Sequence, residues 1–259
     1  MLATPAYDIA LILDQGQRDS QEDAIAARVS DTADAGYVVV ADGMGGHDAG
    51  EVASQLIISA WRDAMDAQLD EPDLVQSALL DALPMAAMQA NAAIASHGEE
   101  NKVNLGSTLL GMLMLEQRIF WISIGDSPLY LFRDDTLSQI NEDHSMAPMI
   151  DAQIAQGLLS AKEAQMHPDR NQLTSVIMGA AIPKVDCPEQ PLDLVPADIL
   201  ILGSDGLQYL DNTEIETLLR THNQSPARDI ADAILQALKA KADPDQDNIS
   251  IAVVKPAQT

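Results

Sequence analysis

Three apolar stretches run into the same kind of polar sequence. Val38-Val39-Val40-Ala41 leads into Asp42-Gly43, and Trp121-Ile122-Ser123-Ile124 leads into Gly125-Asp126-Ser127. Ile199-Leu200-Ile201-Leu202 leads into Gly203-Ser204-Asp205-Gly206, and a fourth segment inverts the order, with Asp247-Asn248 opening Ile249-Ser250-Ile251-Ala252-Val253-Val254. In an antiparallel sheet the start of one strand lies beside the end of its neighbour, so four carboxylates can converge on one rim. Such a cluster repels itself unless cations sit in it. Oxygen ligands with no Cys and few His favour hard ions, Mg2+ or Mn2+. Neighbouring glycines let backbone carbonyls join the coordination and let the chain turn sharply beside an ion. A single Asp-Gly pair is most simply a turn after a strand, so the repetition carries the weight here.

The segment Asp42-Gly43-Met44-Gly45-Gly46-His47 is more specific than a lone glycine pattern. It lacks the Lys and Ser/Thr of a P-loop and the spacing of a dinucleotide fingerprint. Upstream, Arg18-Asp19-Ser20-Gln21-Glu22-Asp23 places a guanidinium four residues before two carboxylates. The planar Arg fork suits bidentate capture of a phosphoryl group, although a solvated surface residue is the plainer reading of an isolated Arg.

These residues need a frame. Strands are predicted at Tyr7–Leu13, Tyr37–Ala41, Thr108–Leu115, Ile119–Ile124, Leu129–Phe132, Ile199–Leu202 and Ile249–Val254, short runs rich in Val, Ile and Leu. Several are continuously apolar, which implies burial on both faces. Helical periodicity covers Glu51–Leu69, Asp73–Ser96, Ala147–Gly157, Ala161–Met166, Thr213–Thr221 and Pro226–Lys241. Pro72 stands at the entry to the second helix, and Ser160 with Glu163 and Thr213 with Glu216 fit capping boxes. Segregated strands and paired helices imply an α+β fold of sheets covered by helices.

Composition bounds the function. The 259 residues are 47% apolar and 21% charged, enough for a sizeable core. Forty acidic against fourteen basic residues give a net charge of −26, which excludes nucleic-acid binding by phosphate neutralisation. Cys187 is the single cysteine, so no intramolecular disulfide or Cys-based zinc cluster can form. No apolar run reaches the ~18 residues of a membrane span, and MLATPAYDIA lacks the basic start of a secretory signal. A soluble, cytoplasmic protein with no membrane partner is expected.

The segments Arg18 to Asp23, Asp42 to His47, Gly106-Ser107-Thr108, Gly125 to Ser127, Ser204-Asp205-Gly206 and Asp247-Asn248-Ile249-Ser250 resemble the ordered motifs of the metal-dependent protein phosphatases, the PPM or type 2C family. Asp143-His144-Ser145 and His167 to Thr174 resemble the flap insert of bacterial members.

The resemblance implies a four-layer α-β-β-α sandwich, with two antiparallel sheets flanked by helix pairs, forming one catalytic domain over 1–259 with a helical flap at about 143–182. It implies two or three Mn2+ or Mg2+ ions. Asp42 would bridge two of them, with Glu22 and the Gly43 carbonyl serving one and Asp205 and Asp247 the other. Asp126 would share a weaker third ion with Asp205. Asp23, Asn248 and His47 would stand behind the ligands, and Arg18 would bind the substrate phosphate. A hydroxide bridging the ions would attack phosphoserine or phosphothreonine without a phosphoenzyme, with Arg18, Asp42 and Asp205 central to catalysis. Phosphoproteins are the implied substrates, with a Ser/Thr kinase, sometimes one controlling a secretion system, as the partner. A monomer is expected. Two alternatives share the fold: a catalytically silent module that binds phosphoproteins, and a regulatory phosphatase dedicated to one partner. The chain departs from the family at Gln21, where Asn is usual, at Pro128, where Arg is common, and at Met44, where many eukaryotic members have His. The acid that protonates the leaving group is left open between His47 and water on the ions.

Overall fold

Alternation along the strands sorts the apolar side chains into three layers of core. The computed structural model describes residues 7–30, 34–46, 48–71 and 75–256. One sheet has the order β1-β11-β10-β7-β8, built from β1 (Tyr7–Asp14), β7 (Leu129–Arg133), β8 (Thr136–Gln139), β10 (Ile199–Gly203) and β11 (Ile249–Pro256). The second has the order β2-β3-β5-β6-β9, built from β2 (Asp23–Val29), β3 (Ala35–Gly45), β5 (Leu109–Leu115), β6 (Arg118–Ile124) and β9 (Leu192–Asp193). The short β4 (Leu105–Ser107) pairs with β3, and every named pairing is antiparallel.

Side chains two apart share a face. Val38, Val40, Leu110 and Met112 of one sheet meet Leu129, Leu200, Leu202 and Val254 of the other, forming the central layer. The residues between them point outward. Val39, Leu113, Phe120 and Ile122 pack on α1 (Ala49–Leu69) and α2 (Gln76–Asn101), through Trp61, Met65, Leu79 and Leu83. Ile199, Ile201, Ile251 and Val253 pack on α5 (Asn212–His222) and α6 (Ala227–Lys241), through Ile215, Leu219, Ile230 and Ile234. The result is the four-layer sandwich expected, and burial on both faces explains the unbroken apolar runs. Gly111 on β5 is required by this packing, since the Trp61 ring occupies the space of its missing side chain. Helix α2 has the length and mean hydropathy of a membrane span, 1.2 over its best window. Yet its Leu79, Leu83, Ala86, Ala90 and Ile94 are buried in the core.

Three differences from the sequence reading have local causes. Strand β3 does not stop at Ala41 but continues to Gly45, because Gly43, Met44 and Gly45 pair with Ser107, Gly106 and Leu105. Strands β2, β4, β8 and β9 were not expected, being mixed or short. The α5 capping box is formed by Asp211 and Glu214, not by Thr213 and Glu216: Glu214 N donates to Asp211 Oδ1 at 2.8 Å and Asp211 N to Glu214 Oε2 at 2.9 Å. A carboxylate two residues earlier takes the cap, and Glu216 instead accepts from Leu137 N at 3.0 Å. The Ser160–Glu163 box at the start of α4 (Ala161–Gln165) forms as expected. Pro72 and Asp73 lie outside the described residues.

Between β8 and β9 the chain makes an insert containing α3 (Ala147–Ala155) and α4, matching the expected flap. Arg170 holds it together through two bonds to the Asp151 carboxylate, 2.6 and 2.9 Å. Its return is tied to the second sheet by bridges from Ser107 to Ile177 and from Ser123 to Asp186.

Candidate active site

A cavity of about 610 Å3 opens at the rim where the two sheets meet, and Arg18, Glu22, Asp42, Gly43, Asp126, Asp205, Asp247 and Asn248 line it. Four carboxylates therefore converge as the sequence pattern predicted, three from beyond the ends of β6 and β10 and just before β11, and Asp42 from β3 itself, which runs on past it. Asp42 projects from within β3. Asp126 follows β6 after Gly125, whose φ of +113° turns the chain into the cavity. Asp205 opens a 3₁₀ turn, Asp205–Tyr209, after β10. Asp247 stands two residues before β11, and its Oδ1 accepts from Asn248 N at 2.8 Å.

The loop carrying Arg18 and Glu22 is held by Asn248. Its Nδ2 donates to Gln15 O at 2.8 Å and Ser20 O at 2.9 Å, while its Oδ1 accepts from Glu22 N at 2.7 Å. Gly43 N donates to Glu22 O at 3.1 Å, which sets the Gly43 peptide beside the Glu22 main chain. The Glu22 carboxylate also needs Gly50 behind it, because a side chain there would collide with Oε2. Arg18 is half exposed, and its Nη2 donates to Asp247 Oδ2 at 2.5 Å.

Electrostatics single out the same group. Burial pushes the Asp42 carboxyl well above the usual range, and the charges of Asp23, Asp205, Asp126 and Asp247 push it further. Asp126 rises to about 7 through burial and the charges of Asp205 and Asp143. Asp205 rises to about 6 through burial and Asp247, with Arg18 pulling the other way. Each rise is the free-energy cost of ionised carboxylates crowded away from water. A hard divalent cation offsets that cost, and the donor set of carboxylates and a backbone carbonyl is the one such ions take. Among the described residues, no three acidic or imidazole groups close into a cage around a single point.

Asp23 does not line the cavity. It sits opposite Asp42 in the β2–β3 register, is 3% exposed, and accepts from Ser204 Oγ at 2.6 Å. Burial, opposed by the Ser204 and Ser250 hydroxyls, raises it to about 7. His47 lies outside the described residues. The sequence placed Thr108 in a family motif and Asn171 and Leu173 in the flap stretch without a role for any of them; Asn171 and Leu173 extend from the flap into the cavity wall, and Thr108 Oγ1 accepts from Asp42 N at 3.0 Å.

The family described as "Protein phosphatase 2C" matches residues 15–247. The chain belongs to the protein phosphatase 2C family. Over 253 residues it is 32% identical to the serine/threonine protein phosphatase PstP of Mycobacterium tuberculosis, covering 95% of this chain but 46% of that protein. The chain thus spans about half the length of this curated relative. The solved catalytic domain of PstP in complex with two manganese ions superposes with a TM-score of 0.75, at 28% identity over 97% of this chain and 99% of that one. PppA, described as a key regulatory component of T6SS in Pseudomonas aeruginosa, superposes with a TM-score of 0.75, at 28% identity over 97% and 98%. The paired sheets and flanking helices of this 2C-family chain are therefore those of solved phosphatases.

Proposed function

We propose that this 2C-family chain is a metal-dependent phosphoprotein phosphatase that hydrolyses phosphoserine and phosphothreonine. The observation that carries the proposal is the convergence of Glu22, Asp42, Asp126, Asp205 and Asp247 with Arg18 around one cavity. The manganese in the PstP catalytic domain supports the choice of ion. Asp42 would serve two Mn2+ or Mg2+ ions, with Glu22 and the Gly43 carbonyl on one side and Asp205 and Asp247 on the other. Asp126, beside Asp205, would hold a third. Ions so held supply Lewis acidity, which makes water a competent nucleophile near neutral pH and offsets phosphoryl charge.

The remaining work falls to the protein's own groups. Arg18, at the cavity mouth, directs guanidinium donors at the phosphate oxygens and stabilises charge that builds as the ester breaks. Asn248 fixes the Arg18–Glu22 loop, and Asp23, opposite Asp42 on the neighbouring strand, is held by the Ser204 hydroxyl. The flap residues Asn171 and Leu173 wall the cavity on the side where a phosphopeptide would lie. A silent phosphoprotein-binding module is disfavoured, because such a module has no use for five carboxylates gathered on one cavity, with Asp42, Asp126 and Asp205 among them kept at electrostatic cost.

We further propose that residues 1–259 act as one catalytic domain and that the protein works as a cytoplasmic monomer opposing a Ser/Thr kinase. The similarity to PppA favours a setting in secretion-system control. The deciding experiment is hydrolysis of a phosphothreonine peptide and of p-nitrophenyl phosphate with Mn2+, with Mg2+ and after chelation. Turnover that needs a divalent ion supports the proposal; equal turnover in all three conditions overturns it.

A further inference from the structure

Thr108 sits in the one-residue gap between β4 and β5 and is 1% exposed. The register between the Val40–Leu110 and Gly43–Ser107 pairs sets it opposite Asp42. It takes both backbone polar groups of that residue: Thr108 N donates to Asp42 O at 2.9 Å, and Asp42 N donates to Thr108 Oγ1 at 3.0 Å. The same Oγ1 lies 2.8 Å from Ser127 Oγ, which is itself buried. The Thr108 methyl fills the space beside Gly125, where any side chain would collide with Thr108 Cβ and Cγ2. Gly125 and Ser127 are the two neighbours of Asp126. Thr108 therefore grips the chain on both sides of Asp126 while it holds the backbone of Asp42. Behind Ser127, Asn141 anchors the loop by donating to Ser127 O at 3.0 Å and to Ser123 Oγ at 2.9 Å.

From these contacts we infer that Thr108 is a positioning residue that locks the Asp42 and Asp126 carboxylates into one rigid frame, setting the affinity of the ions they hold. The inference rests on the phosphatase reading, in which both carboxylates are ion ligands. The two parts of the side chain act on different targets. The hydroxyl serves Asp42 and Ser127, and the methyl serves Gly125. Serine keeps only the first and valine only the second, so the two substitutions separate the roles. Losing the hydroxyl leaves Asp42 N–H and Ser127 Oγ buried without a partner, which loosens the ligand frame at its centre. Partners that orient metal ligands in this way change affinity by about 10–100-fold when removed.

The test is calorimetric titration of metal-free protein with Mn2+ for wild type, Thr108→Val, Thr108→Ser and Ser127→Ala, with folding checked by thermal melting. Folded Thr108→Val is expected to lose about tenfold or more in Mn2+ affinity, and Ser127→Ala a smaller amount. Thr108→Ser is expected to bind within about threefold of wild type at the tightest ions, a rescue that a merely space-filling role would not give. Wild-type affinity in both Thr108→Val and Ser127→Ala overturns the inference, as does a loss in Thr108→Ser equal to that in Thr108→Val. If Thr108→Val does not fold, Ser127→Ala decides alone, and wild-type affinity there overturns it. A wild-type protein that binds no Mn2+ removes the phosphatase reading as well, whereas wild-type binding with unchanged variants removes only the role of Thr108.

Discussion

Arg18 and Asp247, 229 residues apart, meet across 2.5 Å at the mouth of the acidic cavity. In the proposed roles, a phosphate arriving there would compete with Asp247 for the guanidinium, and an ion on Asp247 would compete with Arg18 for the carboxylate. Substrate and ion would thus each favour opening of the same pair. Arg18→Ala should lower kcat/KM by roughly ten- to a thousandfold while Mn2+ binding persists. Arg18→Lys should recover only part, since a point charge cannot reproduce the fork. Steady-state kinetics on a phosphothreonine peptide check both, and wild-type values in Arg18→Ala would assign phosphate capture to another group.

Asp42→Asn and Asp205→Asn should each abolish ion-dependent turnover, because a neutral amide neither offsets the ions' charge nor replaces the lost carboxylate. Both side chains sit at the cavity rather than in the apolar layers, so the fold should remain. Circular dichroism confirms folding, and activity above about a tenth of wild type in either variant would count against the assignment.

Metal removal should expose the cost of the carboxylate cluster in a pH-dependent way. Asp23 and Asp126 stand at about 7 and Asp205 at about 6, against an ordinary 3.8 in the unfolded chain. Between pH 4 and 7 the folded state therefore holds more protons than the unfolded state, so stability falls as pH rises through that window. Ions replace those protons, so stabilisation by Mn2+ should grow from pH 5.5 to pH 8. At a hundredfold excess over the dissociation constant the gain is about 2.7 kcal/mol. Melting curves with EDTA and with millimolar Mn2+ at the two pH values test this, and coincident curves at pH 8 would refute it.

The net charge of −26 should bias substrate encounter. Bound ions offset only part of it, so peptides with Lys and Arg flanks should react faster than peptides with Asp and Glu flanks. The preference should appear in kcat/KM and shrink as salt shortens the Debye length from ~30 Å at 0.01 M to ~8 Å at 0.15 M. A basic preference indifferent to salt would place the selection in local contacts.

The acidic half of the site was legible because each carboxylate marks the end or the start of an apolar strand, and antiparallel pairing leaves few places for such ends to go. The sandwich followed from the same runs, since residues buried on both faces need helices outside and a partner sheet inside. What escaped was whatever depends on register across long separations. Nothing local tells that Thr108 lies opposite Asp42, or that Asp23 turns away from the cavity into the Ser204 hydroxyl. The α5 cap was missed by two residues because Asp211 and Thr213 both precede a Glu at the right spacing, and only the backbone decides between them. Strand β2 was missed because Asp23-Ala24-Ile25-Ala26-Ala27-Arg28-Val29 carries small side chains, with a carboxylate at its start and Arg28 near its end.

Strand β1 has β11 as its one strand partner among the described residues, which fixes a timetable for the molecule. On the ribosome, Arg18 is made 229 residues before the Asp247 it must meet. At roughly 5–20 residues per second, that is a wait on the order of 10–50 s, during which the first strand has nothing to pair with. Every earlier carboxylate can be in place and the rim is still open on one side. On the phosphatase reading, a nascent chain should therefore lack ion-dependent turnover until β11 emerges, and one clipped before Asp247 should lack it however well its helices have formed.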